Sequence, residues 1–449
     1  MSGPAGYLSQ TDADREAMLA AIGVASLDDL FEQIPPGVRF DRELNVPGAL
    51  GEAELMRHLE ELAAHNAGTD RELSFLGAGI YDHYVPAIVD YVLGRGEFLT
   101  AYTPYQPEMS QGVLQAIFEY QTAICELTGM DVSNASGYDG CTVAADATYM
   151  AKHHTGRSRV VLAETLNPQV RDVVRTYAPG FGMEVVEVPH TSGRIDPAAL
   201  EAAAAGAAIV IFQQPNVFGI LEDAPGLAAA ARTGGGVVTA HVDPVSLGLL
   251  EAPGRYGCDL VIGEGQSLGC YQSYGGPHYG FLAGRTEFIR RMPGRIVGQT
   301  TDLEGKRGFV LTLQTREQHI RREKATSNMT TNQTLLALGG LVTLCWLGPQ
   351  GLREVGEACL ALTAYARERL SDAGFAPVFD APVFKEIAIR TPLPAVEAIR
   401  RARERGVHPG YAIGSDYPGL EDALLVALTE RRTVADVDRL VTTLKEVCA

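Results

Sequence analysis

Asp243 directly follows the apolar run Val237–Val242. Twenty-three positions later (266 − 243), after a second apolar run at Leu260–Ile262, the chain reads Gly263-Glu264-Gly265-Gln266-Ser267-Leu268. Both segments fall where open parallel sheets bind ligands, at the carboxyl ends of strands. A carboxylate in the first place and a lysine in the second are the pair used by pyridoxal phosphate. The carboxylate keeps the pyridine nitrogen protonated, and the lysine amine holds the cofactor as an imine. Here the second place is held by Gln266, which is neutral, not nucleophilic and unable to form an imine. Only five lysines occur in the chain, at 152, 306, 324, 385 and 445, and none lies in that segment. Taken alone, Asp243-Pro244 reads first as a turn opening a loop, so the missing lysine is informative only together with the fold. A third segment, Ala135-Ser136-Gly137-Tyr138-Asp139-Gly140-Cys141-Thr142, precedes a helical run at 143–152. Small residues feeding a helix start expose backbone N–H groups to an anion, and they are also common as plain architecture.

Two further segments are polar and aromatic without a simple amphipathic pattern. One combines Tyr81, Asp82, His83 and Tyr84 with the stretch Tyr102-Thr103-Pro104-Tyr105-Gln106-Pro107-Glu108, which its two prolines make an extended loop. Tyrosine, glutamine and glutamate on a rigid loop suit a small polar substrate, and equally suit tyrosines capping the edge of a core. The other, Arg321-Arg322-Glu323-Lys324-Ala325-Thr326-Ser327-Asn328, has the hydroxyls, amide and cations of a phosphate clamp, and also reads as the cap of a helix over 330–348. Single histidines such as His58 and His319 read as structural or solvated.

The elements that must position these residues are an alternation of strands and helices between about 110 and 285. Strands are predicted at 160–163, 185–188, 209–212, 237–242 and 260–262. Asn167-Pro168 and Asp196-Pro197 each open a helix by a side-chain cap and a first-turn proline. Short apolar strands at this spacing indicate a mostly parallel sheet with helices on both faces. A smaller α+β domain follows, with a helix over 352–373, strands near 386–389 and 424–427, and helices at 394–405 and 433–447. Before the sheet, residues 11 to about 70 read as helical. Leu55, Leu59 and Leu62 recur on one face of 52–66, an arm with no core of its own. The expected division is an arm with substrate-facing loops over 1–110, a large α/β domain over 111–350 and a small domain over 351–449.

Thirty-seven basic residues against 55 acidic ones leave a net charge of −18. That balance argues against nucleic acid or an anionic membrane surface as partner. Seven scattered cysteines without a CxxC pair or a zinc-type cluster suggest reduced thiols, no metal and a cytoplasmic location. The N-terminus has no export signal, and the apolar stretch 335–348 is short for a membrane span and reads as a buried helix.

In combination, SFLGAGIYDHYVPA (74–87), TAYTPYQPEMSQG (100–112), EYQTAICELTGMDVSNAS (119–136), SLGLL followed by APG (246–254), GEGQSLG (263–269), YGGPHYGF (274–281) and REKATSNMTTNQ (322–333) closely resemble the glycine decarboxylase P-protein family of the glycine cleavage system, specifically its N-terminal half made as a separate subunit. The resemblance implies a type I aminotransferase-like fold and a heterotetrameric glycine dehydrogenase (aminomethyl-transferring). In that assembly the partner, subunit 2, carries the lysine and pyridoxal phosphate, and the aminomethyl group of glycine passes to the lipoyl arm of H-protein. It further implies that Tyr81, His83, Tyr105, Gln106 and Glu108 face substrate. Thr326, Ser327 and Asn328 would contact the cofactor phosphate in trans, and Ser136, Asp243 and Gln266 would line a vestigial pocket. Gly137 and Cys141, and the stretch Cys270-Tyr271-Gln272-Ser273, depart from the family's wording near that pocket. Two other readings remain: a scaffold that docks H-protein without touching substrate, and an autonomous pyridoxal-phosphate enzyme using one of the five lysines, Lys324 before the others.

Overall fold

The computed structural model describes residues 9–40 and 42–449. They form two compact units, one ending at Asn66 and the other spanning Ala67–Ala449. In the first, helix α1 (Asp12–Ile22) starts at a capping box in which Thr11 and Asp14 satisfy each other's backbone N–H. Helix α2 (Glu52–Ala63) carries Leu55, Leu59 and Leu62 on one face, all exposed. No described residue of this unit is buried, so it has helices but no core.

The second unit is built on a seven-stranded sheet. Its strands are β1 (Val132–Ser133), β2 (Arg159–Ala163), β3 (Glu184–Val188), β4 (Ile209–Gln214), β5 (Val237–Val242), β6 (Leu260–Glu264) and β7 (Gly280–Gly284), in the spatial order β1-β7-β6-β5-β4-β2-β3. Only β7 runs antiparallel to its neighbours. Side chains alternate across the sheet. Val210, Phe212, Val238, Ala240 and Val242 enter one core, packed by α3 (Gln111–Thr128) and two further helices, Pro197–Ala204 and Ala224–Thr233. Ile209, Ile211, Leu260 and Ile262 enter the other, packed by α4 (Gly140–Thr155) and α5 (Pro168–Tyr177). Asn167 and Asp196 cap the helices after them, each with proline at the first turn, as their sequences require.

Beyond this sheet come an antiparallel hairpin, β8 (Ile296–Thr301) with β9 (Arg307–Thr312), and helix α6 (Thr334–Asp372). The sequence predicts two helices here. The structure joins them across a break at Gly348, whose φ of 63° and ψ of −179° turn the chain ahead of Pro349. By length and composition α6 could cross a membrane, yet Ala337, Leu338 and Leu341 lie in the core against the sheet, as read for a buried helix. A three-stranded antiparallel sheet follows, of β10 (Glu386–Arg390), β11 (Tyr411–Ala412) and β12 (Ala423–Ala427) in the order β10-β12-β11. Residues 67–110 are tied into this unit: Leu73–Ser74 pairs in parallel with Val407–His408, and Val89 is buried.

This distribution of burial gives a first prediction. Ile211→Ala in the centre of the sheet should cost roughly 2–5 kcal/mol of unfolding free energy. Leu55→Ser with Leu59→Ser should move the unfolding transition of the isolated chain by only about 0.5 kcal/mol, because neither leucine is buried. Denaturant titration of the two variants checks the contrast.

Candidate functional site

The carboxyl ends of β5 and β6 carry the two segments that the sequence singled out. Asp243 ends β5 and caps a short turn by accepting from the Val245 N–H at 3.2 Å. Its other carboxylate oxygen lies 2.7 Å from the Lys385 ammonium, which comes from the residue preceding β10, in the other sheet. Lys385 is almost fully buried. Its Nζ stands 3.6 Å from the centre of the Tyr81 ring and 2.9 Å from His83 Nε2. An ammonium group can only donate, so Nε2 accepts and the ring proton sits on Nδ1, which donates to Glu430 at 2.6 Å. Asp243, Lys385, His83 and Glu430 thus form one continuous chain of polar contacts. Glu430, His83 and Cys359 also approach each other closely enough to suggest a metal site, but both His83 nitrogens are already committed.

Gln266 lies just beyond β6 and is 1% exposed. Its amide is nearly saturated. Oε1 accepts from the Tyr81 N–H at 2.8 Å, and Nε2 donates to the carbonyls of Tyr81 and Cys270, each at 2.9 Å. The same loop is held from the other sheet. The Tyr81 hydroxyl donates to Glu386 at 2.8 Å, and Glu386 also accepts from the Ala78 N–H at 2.7 Å. Burial pushes the Glu386 carboxyl up to about 7. Asp82 pairs with Arg431 and, at 2.7 Å, with Arg432. Tyr81 and His83 border a cleft of about 670 Å3 together with Tyr271, Tyr274, His408 and Arg431, but their polar atoms are turned into these buried networks.

The glycine-rich turn before α4 is also satisfied from within. Asp139 caps the helix by accepting from the Thr142 N–H at 2.7 Å, and Glu264 accepts from the Gly140 N–H at 2.9 Å. The second Glu264 oxygen accepts from the Gln266 N–H at 3.0 Å. Burial, with Asp139 nearby, pushes the Glu264 carboxyl up to about 8. Gly140 has to be glycine, since a Cβ there would meet the Glu264 backbone nitrogen at 2.8 Å. Ser136 belongs to a different network: its hydroxyl accepts from Asn332 at 2.9 Å and from the Gln333 N–H at 3.1 Å, at the start of α6. The three residues assigned to one vestigial pocket therefore divide, with Asp243 and Gln266 both tied to the Tyr81–His83 loop and Ser136 tied to α6.

These residues do not fit pyridoxal phosphate. Where the sequence leads one to expect the imine-forming amine stands an amide bonded on three sides, the Asp243 carboxylate already faces a cation, and the Gly140 and Thr142 N–H groups at the start of α4 are taken by carboxyl groups.

A second constellation joins the other two motifs. Arg295, buried ahead of β8, donates to the Thr330 carbonyl at 2.7 Å and to the Tyr105 hydroxyl at 3.2 Å, with the Tyr105 ring against its guanidinium. Tyr102 meets Thr331 at 3.1 Å. The loop of Tyr105, Gln106 and Glu108 is thus fastened to the loop of Thr326–Asn328, with Gln106, Glu108 and Asn328 exposed. Ser327 lies near Asp146, whose carboxyl burial pushes up to about 7. Thr326 borders a cleft of about 700 Å3 with His153, Arg290, Arg291, Arg321 and Lys324. Among the described residues none of these four cations is paired with a carboxylate, in a chain that is strongly acidic overall. Sequence reasoning missed Arg295, Lys385 and Glu264. Arg295 and Lys385 each precede a strand and Glu264 ends one, and only the fold shows what each faces.

Sheet order and crossing pattern are those of the fold type I architecture shared by pyridoxal-phosphate-dependent proteins. The chain belongs to the glycine cleavage system P-protein family, whose profile matches residues 5–444. It is 50% identical over 448 residues to the probable glycine dehydrogenase (decarboxylating) subunit 1 of Moorella thermoacetica, covering 99% of this chain and 100% of that protein. To the protein of the same name from Anoxybacillus flavithermus it is 49% identical over 436 residues, 97% of each. The crystal structure of glycine decarboxylase (P-protein) of the glycine cleavage system in inhibitor-bound form superposes with a TM-score of 0.89 at 42% identity, covering 98% of this chain and 99% of that one. Cysteine desulfurase from Thermococcus onnurineus NA1, at a TM-score of 0.64 and 14% identity over 85% of this chain and 95% of that one, shares the fold alone.

The raised Glu264 carboxyl predicts a definite pH dependence. Between about 4.5 and about 8 the folded chain keeps a proton that the unfolded chain releases, so this residue lowers stability progressively as pH rises. The cost is absent below that window and complete above it. Glu264→Gln removes the titration but misplaces one amide donor. Its melting temperature should therefore lie furthest below the parent's near pH 5 and recover relative to it by about pH 8. Melting curves of both proteins across this range test the sign; a difference that does not vary with pH would count against it.

Proposed function

We propose that this chain is the cofactor-free subunit of a two-subunit glycine decarboxylase of the glycine cleavage system. The observation that carries the reading is that Gln266, which the sequence suggests holds the place of the imine-forming lysine, is buried and hydrogen-bonded on three sides. A chain so built needs a partner that supplies the lysine, and the relatives' designation as subunit 1 agrees. Pyridoxal phosphate held by that partner would supply the electron sink that decarboxylation of glycine requires.

In this reading the fastened loops are what the chain contributes. Arg295 fixes Tyr105 and the backbone at Thr330, so that Gln106 and Glu108 are offered outward on a rigid loop to glycine in the partner's site. Tyr81 and His83 border the neighbouring cleft and orient its wall. Thr326, Ser327 and Asn328, beside the unpaired cations, would hydrogen-bond the cofactor's phosphate from across the interface. The lipoyl arm of H-protein would accept the aminomethyl group. The exposed leucine stripe of α2 would be covered on assembly. The unpaired cysteines suit a cytoplasmic setting.

With the lysine-bearing partner present, Glu108→Gln and Thr326→Ala should each lower glycine turnover by roughly 10- to 100-fold while co-purification of the two chains is unchanged. Arg295→Ala should lower it at least as much, by loosening both loops. Unchanged turnover in all three would make the chain a scaffold instead.

A further inference from the structure

We propose that two of the chain's own side chains occupy its cofactor-type pocket: the Lys385 ammonium stands where a ring nitrogen would face Asp243, and the Glu264 carboxyl stands where a phosphate would meet the first N–H of α4. The pocket of this subunit is on this view filled, and the filling has a structural task.

Three observations carry the assignment. First, the Lys385 ammonium places a positive charge against Asp243 at the end of β5, as a protonated ring nitrogen would. It pairs with Asp243 at 2.7 Å, and it does so while buried. Burying a cation is unfavourable unless it is matched by charge, hydrogen bonds or an aromatic face. Here Asp243, His83 Nε2 and the Tyr81 ring supply all three. Second, Glu264 sits against the N–H of Gly140, 2.9 Å away, and Asp139 takes the N–H of Thr142 in the same turn. An incoming phosphate would meet two carboxyl groups and lose these two backbone donors. Third, Gln266 connects the two ends. Its N–H reaches Glu264, and its side chain clamps both backbone groups of Tyr81, the residue whose ring covers Lys385.

The structural task follows from where the occupants originate. Lys385 and Glu386 precede or begin β10, in the smaller sheet, whereas Asp243 and Gln266 end strands of the larger one. Between them lies the Ala78–Tyr84 loop, held by Glu386 at Ala78 and Tyr81 and by Glu430 at His83 and Tyr84. The pocket thereby joins both sheets and the loop in one arrangement. This extends the proposal that a partner holds the cofactor, but the assay below uses this chain alone, so either reading can fail without the other.

Two measurements test it. Full-length Gln266→Lys and the triple variant Gln266→Lys, Lys385→Ala, Glu264→Ala are incubated with pyridoxal phosphate, reduced with borohydride, and the label at position 266 is quantified by peptide mass. The expected result is at least about tenfold more label at 266 in the triple variant than in the single one. Equal labelling, whether complete or nil, overturns the assignment. Because the triple variant could fail to fold, a thermal double-mutant cycle is run as well on Asp243→Asn and Lys385→Met. A melting-temperature loss in the double variant clearly smaller than the sum of the two single losses supports the pair as a joint occupant. Additive losses overturn it.

Discussion

A lysine ammonium withdrawn from water costs several kcal/mol unless its surroundings replace the lost hydration, and the centre of the second unit is arranged around meeting that cost at Lys385. Asp243 supplies the counter-charge, His83 a lone pair and Tyr81 a ring face. Each of these is in turn held by something else: Asp243 by the end of a buried parallel strand, His83 by Glu430, and Tyr81 by Gln266 and Glu386. A single buried cation therefore constrains four separate stretches of chain to one arrangement.

The same constraint explains why the pocket side and the outward side of the molecule differ in character. On the pocket side, polar groups are paired with each other. Gln266, Glu264 and Glu386 together use backbone N–H groups of Tyr81, Gly140, Gln266 and Ala78. Around Thr326 the balance differs: among the described residues Arg290, Arg291, Arg321 and Lys324 form no ion pair, and Glu323 is the one carboxylate that lines the same cleft. Paired charges stabilise a fold, whereas unpaired ones of a single sign set up a field for a ligand or partner of opposite charge. In the proposed assembly the first surface organises this chain, and the second serves a site held by its partner.

Arg295 does for the outward side what Lys385 does for the pocket. Buried at the foot of a hairpin, it gathers a tyrosine ring, a tyrosine hydroxyl and a backbone carbonyl from two loops some 200 residues apart in sequence. Loops that carry recognition residues need such an anchor, because a loop free to move surrenders part of its binding energy as conformational entropy. Tyr105 and Thr330 are positioned by one guanidinium, which links the placing of Gln106 and Glu108 to that of Thr326.

Much of this was legible in the sequence because it depends on local rules. The strands β2 to β6 were visible as short apolar runs, the helices after Asn167 and Asp196 from their caps and prolines, and the odd glutamine from its place 23 residues past Asp243. Periodicity also suggested an arm without a core, and the leucines of α2 are exposed. The strand β7 was not visible, since Gly280–Gly284 is defined by antiparallel pairing with β1 and β6 and not by its own pattern. Nor could the sequence say that Ser136 parts company with Asp243 and Gln266, that Lys385 lies against Asp243 from 142 positions further along the chain (385 − 243), or that Glu264 closes the turn before α4. The residue types and their order determined the sheet, the helices and the missing amine, because propensity, capping and imine chemistry are properties of a residue and its near neighbours. Only tertiary structure decided which charges meet, because a buried ion pair forms between residues that the chain holds far apart until the sheets pack.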